Sequence, residues 1–95
     1  MICSNDLMAI GVLQEASALG LRVPGDLSVV GFDGIEATGW TQPALTTVEQ
    51  PIDVIAKTAI AALNTQVDDP DQALAQYVFR PRLKLGGTTA PPATP

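Results

Sequence analysis

Hydrophobic positions along the chain alternate between helical and strand periods. Met8, Ala9, Val12, Leu13, Ala16 and Leu19 recur at spacings of three and four, the signature of a helix with one face on a core. Ser4-Asn5-Asp6 supplies its start: Asn5 is a good N-cap, and Asp6 places negative charge in the first turn. Gly20 is a natural C′ residue, so the pattern predicts a helix from Asp6 to about Leu19. Met1-Ile2-Cys3 before it reads as the end of a strand. After it, Leu21–Asp26 forms a loop with Pro24-Gly25 as its turn signal. The apolar run Leu27-Ser28-Val29-Val30 then reads as a strand buried on both faces, closing in Gly31-Phe32-Asp33. Strand, helix and strand in this order make a βαβ unit with parallel strands. Parallel α/β sheets place ligand-contacting groups just past such strands, which makes Asp33 the first candidate for a binding role.

Residues 34–40 are too short and glycine-rich for more than a single turn, and Trp40 follows it before Pro43. Trp40 could stack on a ligand, pack internally or anchor a partner surface; a core or subunit contact is favoured. Leu45–Glu49 is a second strand-like run, more polar and alternating. Pro51 then opens a helix at its N1 position, with Ile52, Ile55, Ala56, Ala59 and Leu63 on one face, ending near Gln66 before the acidic turn Val67–Asp71. Tyr77–Arg80 and Leu83–Leu85 form a last extended segment, and Pro81 between them points to a sheet edge. The tail from Gly86 to Pro95 is expected to be mobile. The first helix also carries a second, weakly polar face of Leu7, Ile10, Gly11, Gln14 and Ala18. Gly11 costs about 1 kcal/mol there relative to alanine, so another backbone is expected to approach closely, either from the same chain or from a second subunit.

Composition narrows the function classes. The chain of 95 residues is 46% hydrophobic but only 4% aromatic, so its core is aliphatic. Ten acidic and five basic residues give a net charge of −5, which argues against this segment holding DNA or RNA by itself. With no histidine, one cysteine and no metal-ligand cluster, nucleophilic and zinc chemistry have little to work with, and neither metal, cofactor nor catalytic residue is expected. Asp33 and Glu36 could form an acid/base pair, but ligand contact and solvated charge are the simpler roles. Cys3 in its apolar setting reads as a buried, inert thiol, which suits a reducing cytoplasm. No apolar run approaches the ~20 residues of a membrane span, and no signal segment is visible. Met1 enters what reads as mid-strand, so a truncated chain is expected.

Four motifs in order carry a family resemblance: Cys3–Gly11 (CSNDLMAIG), Gly20–Pro24 (GLRVP), Asp26–Asp33 (DLSVVGFD) and Pro43–Val48 (PALTTV). Together they resemble the lactose/galactose repressor (LacI/GalR) family over about residues 1–89. The resemblance implies an α/β fold: a fragment of a periplasmic-binding-protein-like (type I) two-lobed parallel sheet, in β-α-β-(turn)-β-α-β order. It implies that residues 1–43 belong to the C-terminal lobe, 44–77 cross to the other lobe, 78–88 return as a strand and 89–95 form a flexible tail. The segment would sense a sugar- or nucleoside-like effector through Asp33, with Asn5 also at the cleft. An ionised carboxylate accepting a bidentate pair suits vicinal hydroxyls. Plain N-capping by Asn5 and a turn role for Asp33 before Gly34 are the simpler structural alternatives. Gly34 itself stands where the family usually carries Asp or Asn. Leu7, Ile10, Gly11, Gln14 and Trp40 would contribute to a homodimer interface. DNA would be bound only through an N-terminal helix-turn-helix outside this sequence, in a cytoplasmic protein without membrane contact. A sugar-binding protein of a transport system shares the fold and is the alternative.

Overall fold

The computed structural model describes residues 1–92. Residues 93–95, the end of the expected flexible tail, lie outside the described residues. The chain divides into two compact units, one of residues 1–49 with 82 onward and one of residues 50–81.

In the first unit, α1 spans Asp6–Ala18. The Asn5 side-chain oxygen accepts a hydrogen bond from the Met8 amide at 2.8 Å, satisfying one of the orphan donors of the first turn. At the other end the Gly20 amide donates to Ser17 O (3.1 Å) and the Leu21 amide to Ala16 O (2.8 Å). With Gly20 at φ +75°, this is a Schellman stop. Both helix boundaries therefore follow from local residues. The packed face is narrower than its periodicity suggests. Ala9 and Ala16 are buried, Val12 and Leu13 half-buried, and Met8 and Leu19 exposed.

Three extended segments run parallel. Ile2 bridges Val30, and Val30 in turn bridges Thr46. Cys3 N–H donates to Val30 O (2.9 Å), Val30 N–H to Met1 O (3.0 Å), Gly31 N–H to Thr46 O (2.9 Å) and Asp33 N–H to Val48 O (2.9 Å). The expected βαβ unit is thus present, with short and interrupted ladders. Regular strands are β1 (Thr47–Glu49) and β2 (Arg82–Lys84), paired antiparallel with Val48 opposite Leu83. β2 is exposed along its length, as Pro81 suggested, and Arg82 meets Glu49 in an ion pair at 3.0 Å. The expected burial holds at Val29 and Gly31; Val30 is half-buried and Phe32 exposed. The small core is Cys3, Ala9, Val29 and Leu45, flanked by Ile10, Val12, Leu13, Val23 and Leu27.

The start of the tail, expected to be mobile, is hydrogen-bonded into the sheet. The Thr88 hydroxyl donates to Val29 O (2.6 Å) and accepts from Thr46 N–H (2.9 Å), bridging backbone groups of two neighbouring segments. Val29 N–H donates to Thr88 O (2.9 Å), and Ala90 N–H to the Ser28 hydroxyl (3.1 Å). The glycine pair permits this: a Cβ on Gly86 would run into the Ala44 carbonyl, and one on Gly87 would lie 2.8 Å from Pro43 Cβ.

In the second unit, α2 spans Ile52–Asp68, with Pro51 one position earlier than expected, at the N-cap. No α2 residue is buried. Ile52, Ala56, Ala59 and Leu63 of its apolar face are exposed, and Ile55 is half-buried. Residues 72–77 lie along α2 and leave an open groove of about 390 Å³ lined by Lys57, Thr65 and Tyr77 among others. No helix of the described residues is long and apolar enough to cross a membrane.

Thr88→Val should destabilise the chain by about 1–3 kcal/mol in urea unfolding, because it leaves the buried Thr46 amide and Val29 carbonyl without their shared partner. The loop before the central segment carries a pH signature. Arg22 grips Asp26 through Nε (3.1 Å) and Nη2 (2.9 Å), and its backbone amide donates to the same carboxylate at 2.8 Å. These hydrogen bonds hold the Asp26 carboxyl down at about 2. A lowered folded-state value makes this contribution to stability present above the ordinary carboxylate range and lost as pH falls toward 2. NMR titration should show the Asp26 value rising in Arg22→Ala, which removes the side-chain donors and keeps only the backbone amide at that carboxylate.

Candidate functional site

The parallel segments end on a common rim: Asn5 follows Cys3, Gly34 follows Asp33, and Glu49 closes β1, bridging Asp33. Crevices outside the carboxyl ends of parallel strands are where open α/β sheets bind ligands. The group that assembles this rim is Asp6. Its side chain is 1% exposed, yet it is fully partnered. Oδ2 accepts from the backbone amides of Gly34 (2.7 Å) and Ile35 (2.8 Å), and Oδ1 accepts from the Thr47 hydroxyl (2.6 Å). One carboxylate thus ties the start of α1 to the turn after Asp33 and to β1. A buried charge is tolerable only with such partners.

Two glycines make room for it. A Cβ at Gly31 would collide with Asp6 Oδ1. Gly34 has φ +79°, and a Cβ there would lie 2.8 Å from the Cα of Glu49. Any side chain at this position would therefore require β1 to shift. Asp33 is the one non-glycine residue of the described chain with positive φ, at 117°. That region is sparsely allowed for an L residue with a side chain and stores strain.

The hydrogen bonds of the rim go to Asp6 and Asn5, and among the described residues none reaches the half-buried Asp33 carboxylate. Asn5 spends its side-chain oxygen on the helix cap, which keeps both N–H groups of its amide as donors. A carboxylate acceptor and amide donors on adjacent strand ends offer what a polyhydroxyl ligand requires. Among the described residues no group of three or more Cys, His, Asp or Glu side chains could hold a metal ion.

The residues expected at a subunit contact are dispersed in their exposure. Leu7 is 70% and Trp40 75% exposed, Gly11 and Gln14 are exposed, and Ile10 packs against the core. Trp40 caps the 3₁₀ turn Glu36–Gly39 rather than entering the core of this chain. The sequence reading treated Asp6 as a helix-start charge and overlooked Thr47. The signal that could have found both is Gly31, a glycine inside an apolar run, which marks close approach by another group.

Residues 1–89 match the model of the periplasmic binding protein-like domain. The chain belongs to that family. Among relatives, an HTH-type transcriptional regulator from the aml 5′ region of Streptomyces limosus is 42% identical over 90 residues, covering 95% of this chain and 26% of its own length. A LacI family transcriptional regulator from Enterococcus faecium, solved with bound ribose, superimposes with a TM-score of 0.87 at 28% identity, over 95% of this chain and 34% of that one. A dimeric Lac repressor with a C-terminal deletion gives a TM-score of 0.85 at 32% identity, over 97% and 34% of the two chains. This periplasmic-binding-protein-like chain thus corresponds to a segment of the effector-binding domain of LacI-type transcriptional regulators, as the four motifs suggested. It spans about a quarter of the length of that Streptomyces relative.

The strain at Asp33 makes a stability prediction within this family member. Asp33→Gly relieves the backbone and should unfold at higher urea than Asp33→Ala, by about 1 kcal/mol, although both lack the carboxylate.

Proposed function

We propose that the chain is part of the effector-sensing domain of a transcriptional regulator, with Asp33 accepting hydrogen bonds from a small sugar-like ligand. The observation that carries this reading is the Asp33 carboxylate itself. It stands at a strand's carboxyl end in a strained backbone, with no partner among the described residues. Strain of that kind concentrates at ligand-contacting positions. Asn5 contributes amide donors beside it. The ribose bound to the Enterococcus faecium regulator supports a sugar-like ligand.

Leu7, Ile10, Gly11, Gln14 and Trp40 form the contact with a second copy; the dimeric Lac repressor supports this assembly. Operator DNA is held by a helix-turn-helix elsewhere in a cytoplasmic protein. The effector acts by binding one arrangement of the sensor more tightly than another, which is the only way a ligand shifts such an equilibrium. A transport binding protein shares the fold, but the relatives being transcriptional regulators favours the sensor reading.

Asp33→Ala in the full-length protein should weaken effector binding roughly 10- to 100-fold, the loss expected for one or two charge-assisted hydrogen bonds. Operator affinity without effector should be unchanged. Titration calorimetry and a DNA-binding assay measure the two. Unchanged effector affinity in Asp33→Ala would remove Asp33 from the site.

A further inference from the structure

We propose that Asp6 is a positioning residue for Asp33: its buried carboxylate clamps the turn after Asp33 so that the Asp33 carboxylate faces the ligand. The inference rests on the reading of Asp33 as the effector contact. An aspartate in a first helical turn ordinarily meets solvent or its own helix N-terminus. Asp6 does neither. Asn5 performs the capping, and both Asp6 oxygens reach away from α1, to Gly34, Ile35 and Thr47.

The two amides it holds immediately follow Asp33, whose φ of 117° persists only if its surroundings impose it. With Gly34 at φ +79°, two consecutive residues have positive φ, and the clamp holds the amides on either side of the second. The Asp33 amide is fixed from the other side by Val48 O at 2.9 Å. Asp33 is therefore held at both ends by partners that do not use its side chain. Gly31 completes the device, since any side chain there would displace the Asp6 carboxylate. Because the same carboxylate also holds Thr47, a movement of α1 against β1 must move Asp33.

The test compares Asp6→Leu with Asp6→Asn in the full-length protein, using D-ribose as the probe. NMR reads amide exchange at Gly34 and Ile35 and the three-bond amide coupling of Asp33, which is small at its present φ and large in an extended residue. Calorimetry reads ribose affinity. In Asp6→Leu both amides should lose protection, the Asp33 coupling should rise, and ribose affinity should fall roughly tenfold or more. Asp6→Asn keeps an oxygen for the two amides and can donate to the Thr47 hydroxyl, so it should restore most of the affinity and the small coupling. An unaltered Asp33 coupling in Asp6→Leu overturns the proposal, as does an Asp6→Asn variant no better than Asp6→Leu. If Asp6→Leu does not fold, Thr47→Val decides: it should loosen the Gly34 and Ile35 amides measurably, and unchanged protection there counts against the clamp. If the unsubstituted protein does not bind ribose, the sugar reading is what fails, and the couplings still decide the clamp.

Discussion

A buried carboxylate with three donors from two other chain segments holds the rim of this domain together. Each hydrogen bond to a charged group contributes about 1.5–3 kcal/mol against the cost of taking the Asp6 carboxylate out of water. The backbone conformation that it stabilises at Asp33 costs about 1–3 kcal/mol. The terms are of similar size, so the strained turn holds while Asp6 is in place and has little reserve without it. The glycines at 31 and 34 belong to the same arrangement: one leaves space for the carboxylate, the other for the backbone of Glu49.

Thr88 plays a comparable part below the rim. Its hydroxyl joins the Val29 carbonyl to the Thr46 amide inside the sheet, so residues near the carboxyl end of the sequence belong to its interior. In a core as small as Cys3, Ala9, Val29 and Leu45, such polar bridges take over work that larger apolar side chains do elsewhere. The aliphatic, aromatic-poor composition leads to the same point: shape is set by close backbone approach and hydrogen bonding more than by bulky packing.

Local features were legible in the sequence because their causes are local. Asn5 caps α1 and Gly20 ends it through partners three or four residues away. The parallel order of the segments around α1 followed from the strand-helix-strand pattern. What was not legible depends on contacts distant along the chain. Asp6 finds its partners 28, 29 and 41 residues away, and a helix-start aspartate carries no mark of that destination. Thr88 likewise lies in a glycine- and proline-rich stretch whose composition suggests a loose tail. The apolar faces of α1 and α2 were read correctly as patterns but only partly cover anything: Met8, Leu19, Ile52 and Leu63 remain exposed in a chain that spans about a quarter of the length of its Streptomyces relative. Asp33 was singled out from position alone, whereas its unusual backbone was not foreseen, since φ at a single residue depends on the turn that follows.

The most direct measurement is a crystal structure of the full-length protein with its effector bound. The account predicts ligand hydroxyls within hydrogen-bond distance of the Asp33 carboxylate, with Asp6 still on the Gly34 and Ile35 amides and making no ligand contact. A ligand bound away from Asp33, or held by Asp6 in place of those amides, would contradict it.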